Sequence, residues 1–236
     1  MAKTQPVKRS KAPAAGVNTF LKRLAATTPN AAPPGAKGRL LFAMDATASR
    51  EPTWDRACQI QGKMFSETAA LGGLHVKMAF FRGFGEFRAT GWIGNSAELV
   101  RKMTAVHCLG GHTQIHRVLE HALAETKKKP VSAVVYVGDA MEEEADDLCA
   151  LAGELGVRKI PVFVFQEGRD PLARRTFQQL AKLSGGAFCQ FDSSSAEQLR
   201  YLLSAVAVYA AGGRRALVDF GKRTKGDVLL IANQLK

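Results

Sequence analysis

The chain has 236 residues, 46% of them hydrophobic, and a formal charge of +12. That suffices for one domain of roughly 170–200 residues with tails, and it excludes a low-hydrophobicity, wholly disordered chain. The charge is concentrated at the ends. Residues 1–39 carry eight Lys/Arg and no acid, and residues 212–236 carry six against Asp219 and Asp227. Residues 40–211 hold 19 basic and 19 acidic side chains, so the middle is neutral. This argues against a nucleic-acid-binding fold and for basic tails on a neutral domain.

Residues 1–37 are rich in Ala, Pro, Lys and Thr and read as a mostly disordered basic arm. Residues 17–24 have the spacing of a short basic helical turn with Phe20, Leu21 and Leu24 on one side. A solvated tail, an arm docking on an acidic partner or a nucleic-acid backbone, and a transit-type leader all share this composition.

Beyond the arm, strands and helices alternate. Leu40-Leu41-Phe42-Ala43-Met44 is an apolar run of buried-strand length. Pro52 suits the first position of a helix running to about Leu71, stopped by Gly72-Gly73. Residues 75–81 form a second strand, and residues 86–92 pair with it as a hairpin turning at Gly83 and Gly85. Phe84, at the tip, is assigned to hairpin packing. Helical spacing follows over 96–106 and 113–127, closed by Lys127-Lys128-Lys129 as a solvated end. Residues 131–137 are the most β-like run in the chain.

A helix over 141–155 begins with Glu142, Glu143 and Glu144, acids that suit its N-terminal dipole. Residues 160–165 make a strand. Asp170 caps a helix with Pro171 at its first position, ending at Gly185-Gly186. Residues 187–191 form the last core strand, and Ser194 with Glu197 makes a capping box for a helix over 196–210. Residues 212–236 fit this plan less well and read as a short helix plus an apolar segment at 228–231 on the domain edge. Strands separated by helices of 10–15 residues imply right-handed crossovers. The expected fold is doubly wound α/β: a mostly parallel sheet with one antiparallel strand and helices on both faces.

Cys58, Cys108, Cys149 and Cys189 are scattered without a C-x-x-C pair, which favours a reducing compartment over a disulfide framework. The N-terminus shows no apolar signal core, and the longest apolar stretch, 201–211, is shorter than the ~20 residues needed to span a bilayer. A cytoplasmic protein without membrane contact is expected.

The chemistry lies in loops that follow strands. Asp45, Thr47 and Ser49 leave the first strand, Asp139 follows the 131–137 strand, and Thr113 stands at a helix start after Gly110-Gly111. In open α/β sheets ligands bind outside the carboxyl ends of the strands. Two carboxylates and three hydroxyls are hard oxygen donors suited to Mg²⁺ or Mn²⁺, with a position left for an outside acid. Each residue alone is an ordinary cap; the ordered set carries the signal. His107, Cys108, His112, His116 and His121 cluster nearby. They lack the spacing of a zinc site apart from the i, i+4 pair His112 and His116.

Over about residues 39–211 the chain resembles a von Willebrand factor type A (VWA) domain of the bacterial intracellular type, with a metal-ion-dependent adhesion site. Asp45-x-Thr47-x-Ser49, then Thr113, then Asp139 match that site's order. A late segment, Leu180 to Phe188, is also similar. Two departures stand: Thr47 in place of Ser, and Gly138-Asp139-Ala140 in place of Thr/Ser-Asp-Gly. The resemblance implies that Thr47, Ser49 and Thr113 bind the metal through hydroxyls, and that Asp45 and Asp139 do so directly or through water. A partner's carboxylate then completes the shell. It also implies a non-enzymatic protein-interaction module, often beside ATPase or chaperone partners. The competing classes are a Mg²⁺-dependent phosphohydrolase, which wants a second Asp where Thr47 stands, and nucleic-acid binding through the tails.

Overall fold

The first strand is buried along its whole length. In the computed structural model, which describes residues 14–27, 37–53, 74–192 and 196–234, β1 (Gly38–Asp45) is inaccessible at every position. That is the pattern of a central parallel strand covered on both faces. It lies between β2 (Leu74–Arg82) and β4 (Ala133–Gly138), parallel to both. β5 (Val162–Glu167) and β6 (Phe188–Phe191) continue the sheet in parallel. β3 (Glu86–Ala89) closes the other edge antiparallel to β2. The order is β3-β2-β1-β4-β5-β6, so the doubly wound architecture with one antiparallel strand is as the sequence pattern implies.

Side-chain alternation divides the core in two. Leu40, Phe42, Met44, Val135, Val137, Phe163 and Phe165 point to one face. There they pack under α1 (Ala14–Ala26), α2 (Ser96–Thr104) and α6 (Ala196–Gln234). Leu41, Ala43, Val134, Tyr136 and Val164 point to the other face. That face is covered by α3 (Ile115–Lys128), α4 (Ala145–Val157) and α5 (Pro171–Leu183). Asp170 caps α5 by accepting from the Ala173 amide, with Pro171 at the first turn.

Several expectations need correction. Residues 14–26 are not a solvated tail: α1 buries Phe20 and Leu24 completely, with the Phe20 ring 5.9 Å from Phe163 and 5.2 Å from Phe165. Burying a phenylalanine contributes about 2–3 kcal/mol, enough to hold a short stripe that local composition disguises. The third strand stops at Ala89; beyond it Thr90 is hydrogen-bonded to Met78 and Ile93 bridges back to Val76. Gly213 (φ 66, ψ −160) breaks the last helix, and a second helical segment follows it, burying Leu217 and Phe220 in the α1 face. The helix read over 52–71 lies outside the described residues from 54 onward. Residues Ala48–Thr53 form a 3-10 helix with Pro52 inside it. Ser194 also lies outside the described residues. Among the described residues no helix is long and apolar enough to cross a membrane.

Candidate metal centre

The strand order reverses between β1 and β4, the switch point at whose carboxyl ends open α/β sheets bind ligands. The register pairs Met44 with Val137, so Asp45 and the Gly138-Asp139 turn leave the sheet side by side. Asp45 is fully buried as the last residue of β1. Its Oδ1 accepts from the Thr47 backbone N–H at 2.8 Å, a local turn that aims the loop back over the strand end. The hydroxyls of Thr47 and Ser49 lie 3.1 Å apart; Thr47 is buried and Ser49 exposed. Arg50, 1% exposed, places its Nε 2.9 Å from Glu167 at the end of β5.

Thr113 enters from the loop before α3 and is buried. Its hydroxyl accepts from the Glu142 backbone N–H, and its own N–H donates to the Glu142 carboxylate, both at 3.1 Å. Glu143 accepts from the N–H groups of Ile115 (2.6 Å) and His116 (2.8 Å). The acids at 142 and 143 therefore serve the amino end of α3. They do not cap the helix that follows them, which begins only at Ala145. A carboxylate is favoured at either helix start; proximity across the loops, invisible locally, decides which. The same loop is tied to the first by the Leu109 N–H donating to the Ala46 carbonyl at 3.0 Å. It packs so closely on the hairpin that a Cβ at Gly111 would lie 2.0 Å from the Gly83 carbonyl oxygen.

The electrostatics are those of a site short of positive charge. Burial pushes the Asp45 carboxyl up to about 6, and the Asp139 charge adds to this against hydrogen bonds from Thr47 and the charge of Arg50. Asp45 Oδ2 and Asp139 Oδ1 are buried and have no hydrogen-bond partner among the described residues. Buried charges persist when paired or when they coordinate a metal. The donor set, two carboxylates with three hydroxyls, fits a hard divalent cation that keeps some water.

Of the five oxygen donors, Asp45, Thr47 and Ser49 share one turn, and Asp139 acts on Asp45 through its charge. Thr113 is fastened to Glu142, three residues past Asp139. The histidines do not gather. His112 pairs with Glu142 at 3.1 Å, His116 with Glu120 at 3.4 Å, and His121 packs on the Phe87 ring. No group of three His, Cys, Asp or Glu side chains able to hold a metal exists among the described residues. Phe84 is not packed into the hairpin: it is 85% exposed and touches His112 edge-on beside Thr113. Sequence reasoning passed over Arg50 and the cross-loop role of Glu142 and Glu143. A buried arginine beside a buried aspartate carries no periodic signal.

No family model and no curated protein matches the sequence. Among solved structures, the SpRpn10 VWA domain aligns with a TM-score of 0.57 at 10% identity, covering 73% of this chain and 95% of that one. A von Willebrand factor type A structure from Catenulispora acidiphila aligns at 0.56 and 16% identity, over 72% of this chain and 42% of the other. Manganese-loaded TRAP protein of Plasmodium vivax aligns at 0.53 and 13% identity, over 69% and 71%. Similarity at these identities is similarity of fold.

Proposed function

The chain has the von Willebrand factor type A fold, and on that premise we propose that it is a non-enzymatic, metal-dependent protein-interaction module. Mg²⁺ or Mn²⁺ is held by Asp45, Thr47, Ser49, Thr113 and Asp139, and the coordination position they leave open takes a carboxylate of a protein partner. The observation that carries this reading is the pair of buried carboxylate oxygens on Asp45 and Asp139 that have no partner among the described residues, with the Thr47 and Ser49 hydroxyls in the turn that follows Asp45. When bound, the cation neutralises the two acids and presents a Lewis-acidic site to an incoming anion. The chain's own part is to fix the loops: Glu142 and Glu143 hold Thr113 and the start of α3, and Thr47 orients Asp45.

The partner class that the resemblance implies is a component of an ATPase or chaperone assembly. The scattered cysteines, with no C-x-x-C pair, suit a reducing, cytoplasmic setting. A phosphohydrolase reading is disfavoured because Thr47 stands where a second catalytic acid would be needed. Nucleic acid is left to the basic tails alone.

Calorimetric titration with MgCl₂ tests the assignment. Wild type binds and Asp45→Ala does not; equal binding by both removes the site. A pull-down in Mg²⁺ against EDTA, with the same two proteins, then reports whether partner capture depends on the ion.

A further inference from the structure

Tyr136 is buried in the middle of the sheet, yet it is a phenol. It lies on β4 on the same face as Asp45 of the neighbouring strand, since Ala43 pairs with Tyr136 in the register. The ring is accounted for by packing: it stacks on Phe81 with centroids 6.4 Å apart and meets Phe177 edge-on at 5.5 Å. A phenylalanine would satisfy those contacts equally well. The hydroxyl is what lacks a reason, because it is inaccessible and has no hydrogen-bond partner among the described residues. An unmet buried hydroxyl is costly.

Its position supplies the reason. A Cβ built on Gly138 would lie 2.3 Å from the Tyr136 hydroxyl oxygen and 2.7 Å from the ring carbon that bears it. The phenol therefore occupies the space that a side chain at residue 138 would fill. Residue 138 is the last of β4, level with Asp45 at the end of β1 and next to Asp139. Three buried polar atoms without partners among the described residues, Asp45 Oδ2, Asp139 Oδ1 and Tyr136 Oη, thus belong to one corner of the molecule. Two of them only accept, and the third can donate.

We infer that Tyr136 is a positioning residue of the cation site, its hydroxyl donating to water held with the cation beside Asp45 and Asp139, and that Gly138 is glycine to make room for it. This rests on the metal-binding reading given above. Removal of such an outer partner weakens metal affinity by about 10–100-fold in other sites. In the metal-free protein the same hydroxyl is a liability, because its burial has no compensating hydrogen bond among the described residues. The two states therefore respond to its loss in opposite senses, which a hydroxyl of merely structural value would not produce.

The experiment uses the full chain with MgCl₂ as the probe. Tyr136→Phe is expected to bind Mg²⁺ about 10-fold or more weakly, while its metal-free denaturation midpoint is unchanged or raised. Addition of Mg²⁺ to wild type is expected to perturb the near-ultraviolet tyrosine spectrum, a difference lost in Tyr136→Phe. Gly138→Ala is expected to destabilise wild type but to be tolerated beside Tyr136→Val, which vacates the space. Wild-type Mg²⁺ affinity in Tyr136→Phe overturns the proposal and leaves the cation site standing. A metal-free Tyr136→Phe that loses stability along with affinity also overturns it, by making the role structural. Failure of wild type to bind Mg²⁺ overturns the cation site, and this proposal with it.

Discussion

Asp45 and Glu125 are both buried carboxylates, placed at opposite ends of the same sheet, and they have opposite fates. Glu125, near the end of α3, meets Lys128 at 2.9 Å, Lys77 at 3.1 Å, Arg39 at 3.4 Å and the Trp92 indole N–H at 2.9 Å. Arg39 also sits over the Trp92 ring, its Cζ 3.8 Å from the centroid. Burial pushes the Glu125 carboxyl up, but the hydrogen bonds from Lys128, Trp92 and Lys77 outweigh it and hold the group down at about 2. At the other end Asp45 is raised to about 6, with one oxygen unpartnered among the described residues. One acid is compensated by the fold; the other, among the described residues, is not. A strained, under-compensated group held by a rigid frame marks a functional position, while a saturated one marks stability.

The largest expected effect comes from breaking the saturated end. Glu125→Ala should cost about 3–5 kcal/mol, because it strands buried cations. Urea denaturation measures this, and a loss below about 1 kcal/mol would make the two acids alike. Next, metal-free Asp45→Asn should be more stable than wild type at neutral pH by up to about 3 kcal/mol, while losing Mg²⁺ binding. A destabilised Asp45→Asn would break the contrast.

The pH slopes follow with opposite signs. The native Asp45 value lies above the ordinary 3.8. Its contribution is therefore greatest below about 4 and declines as pH rises through about 6. The native Glu125 value lies below the ordinary 4.5. Its contribution is therefore complete above about 4.5 and is lost as pH falls toward 2. Denaturation curves of the two single variants across this range separate the slopes. The smallest effect sharpens the picture: Glu143→Gln should cost about 1 kcal/mol by weakening the hold on the start of α3, with a modest loss of Mg²⁺ affinity, both read in one thermal titration.

Much of this fold could be read from the sequence because its evidence is local. The five apolar residues at 40–44 sit in a strand buried on both faces, and Asp170-Pro171 opens a helix through its own side chain and ring. What escaped was decided at a distance. Phe20, Leu21 and Leu24 make a stripe too short to outweigh the prolines and lysines around it, and the rings that cover it come some 140 residues later. Glu142 and Glu143 look like acids for their own helix until the loops are brought together. Of the site, sequence could supply the order and the loop positions of the five oxygen donors. Gly138, a departure from the resembled pattern, finds its reason in Tyr136 two residues earlier, through a contact that no spacing rule encodes.

The docking of α1 has a consequence for how the chain is made. Thr27 donates to the Gly185 carbonyl and accepts from the Tyr209 hydroxyl, spanning 158 and 182 residues of sequence. At roughly 5–20 residues per second, a ribosome that has delivered α1 needs about 10–40 s to deliver its cover. Throughout that interval the apolar stripe around Phe20 faces water. The face that closes with α1 and α6 thus assembles late, its contacts being strongly non-local, and the nascent protein is most exposed to misassociation until α6 has been made.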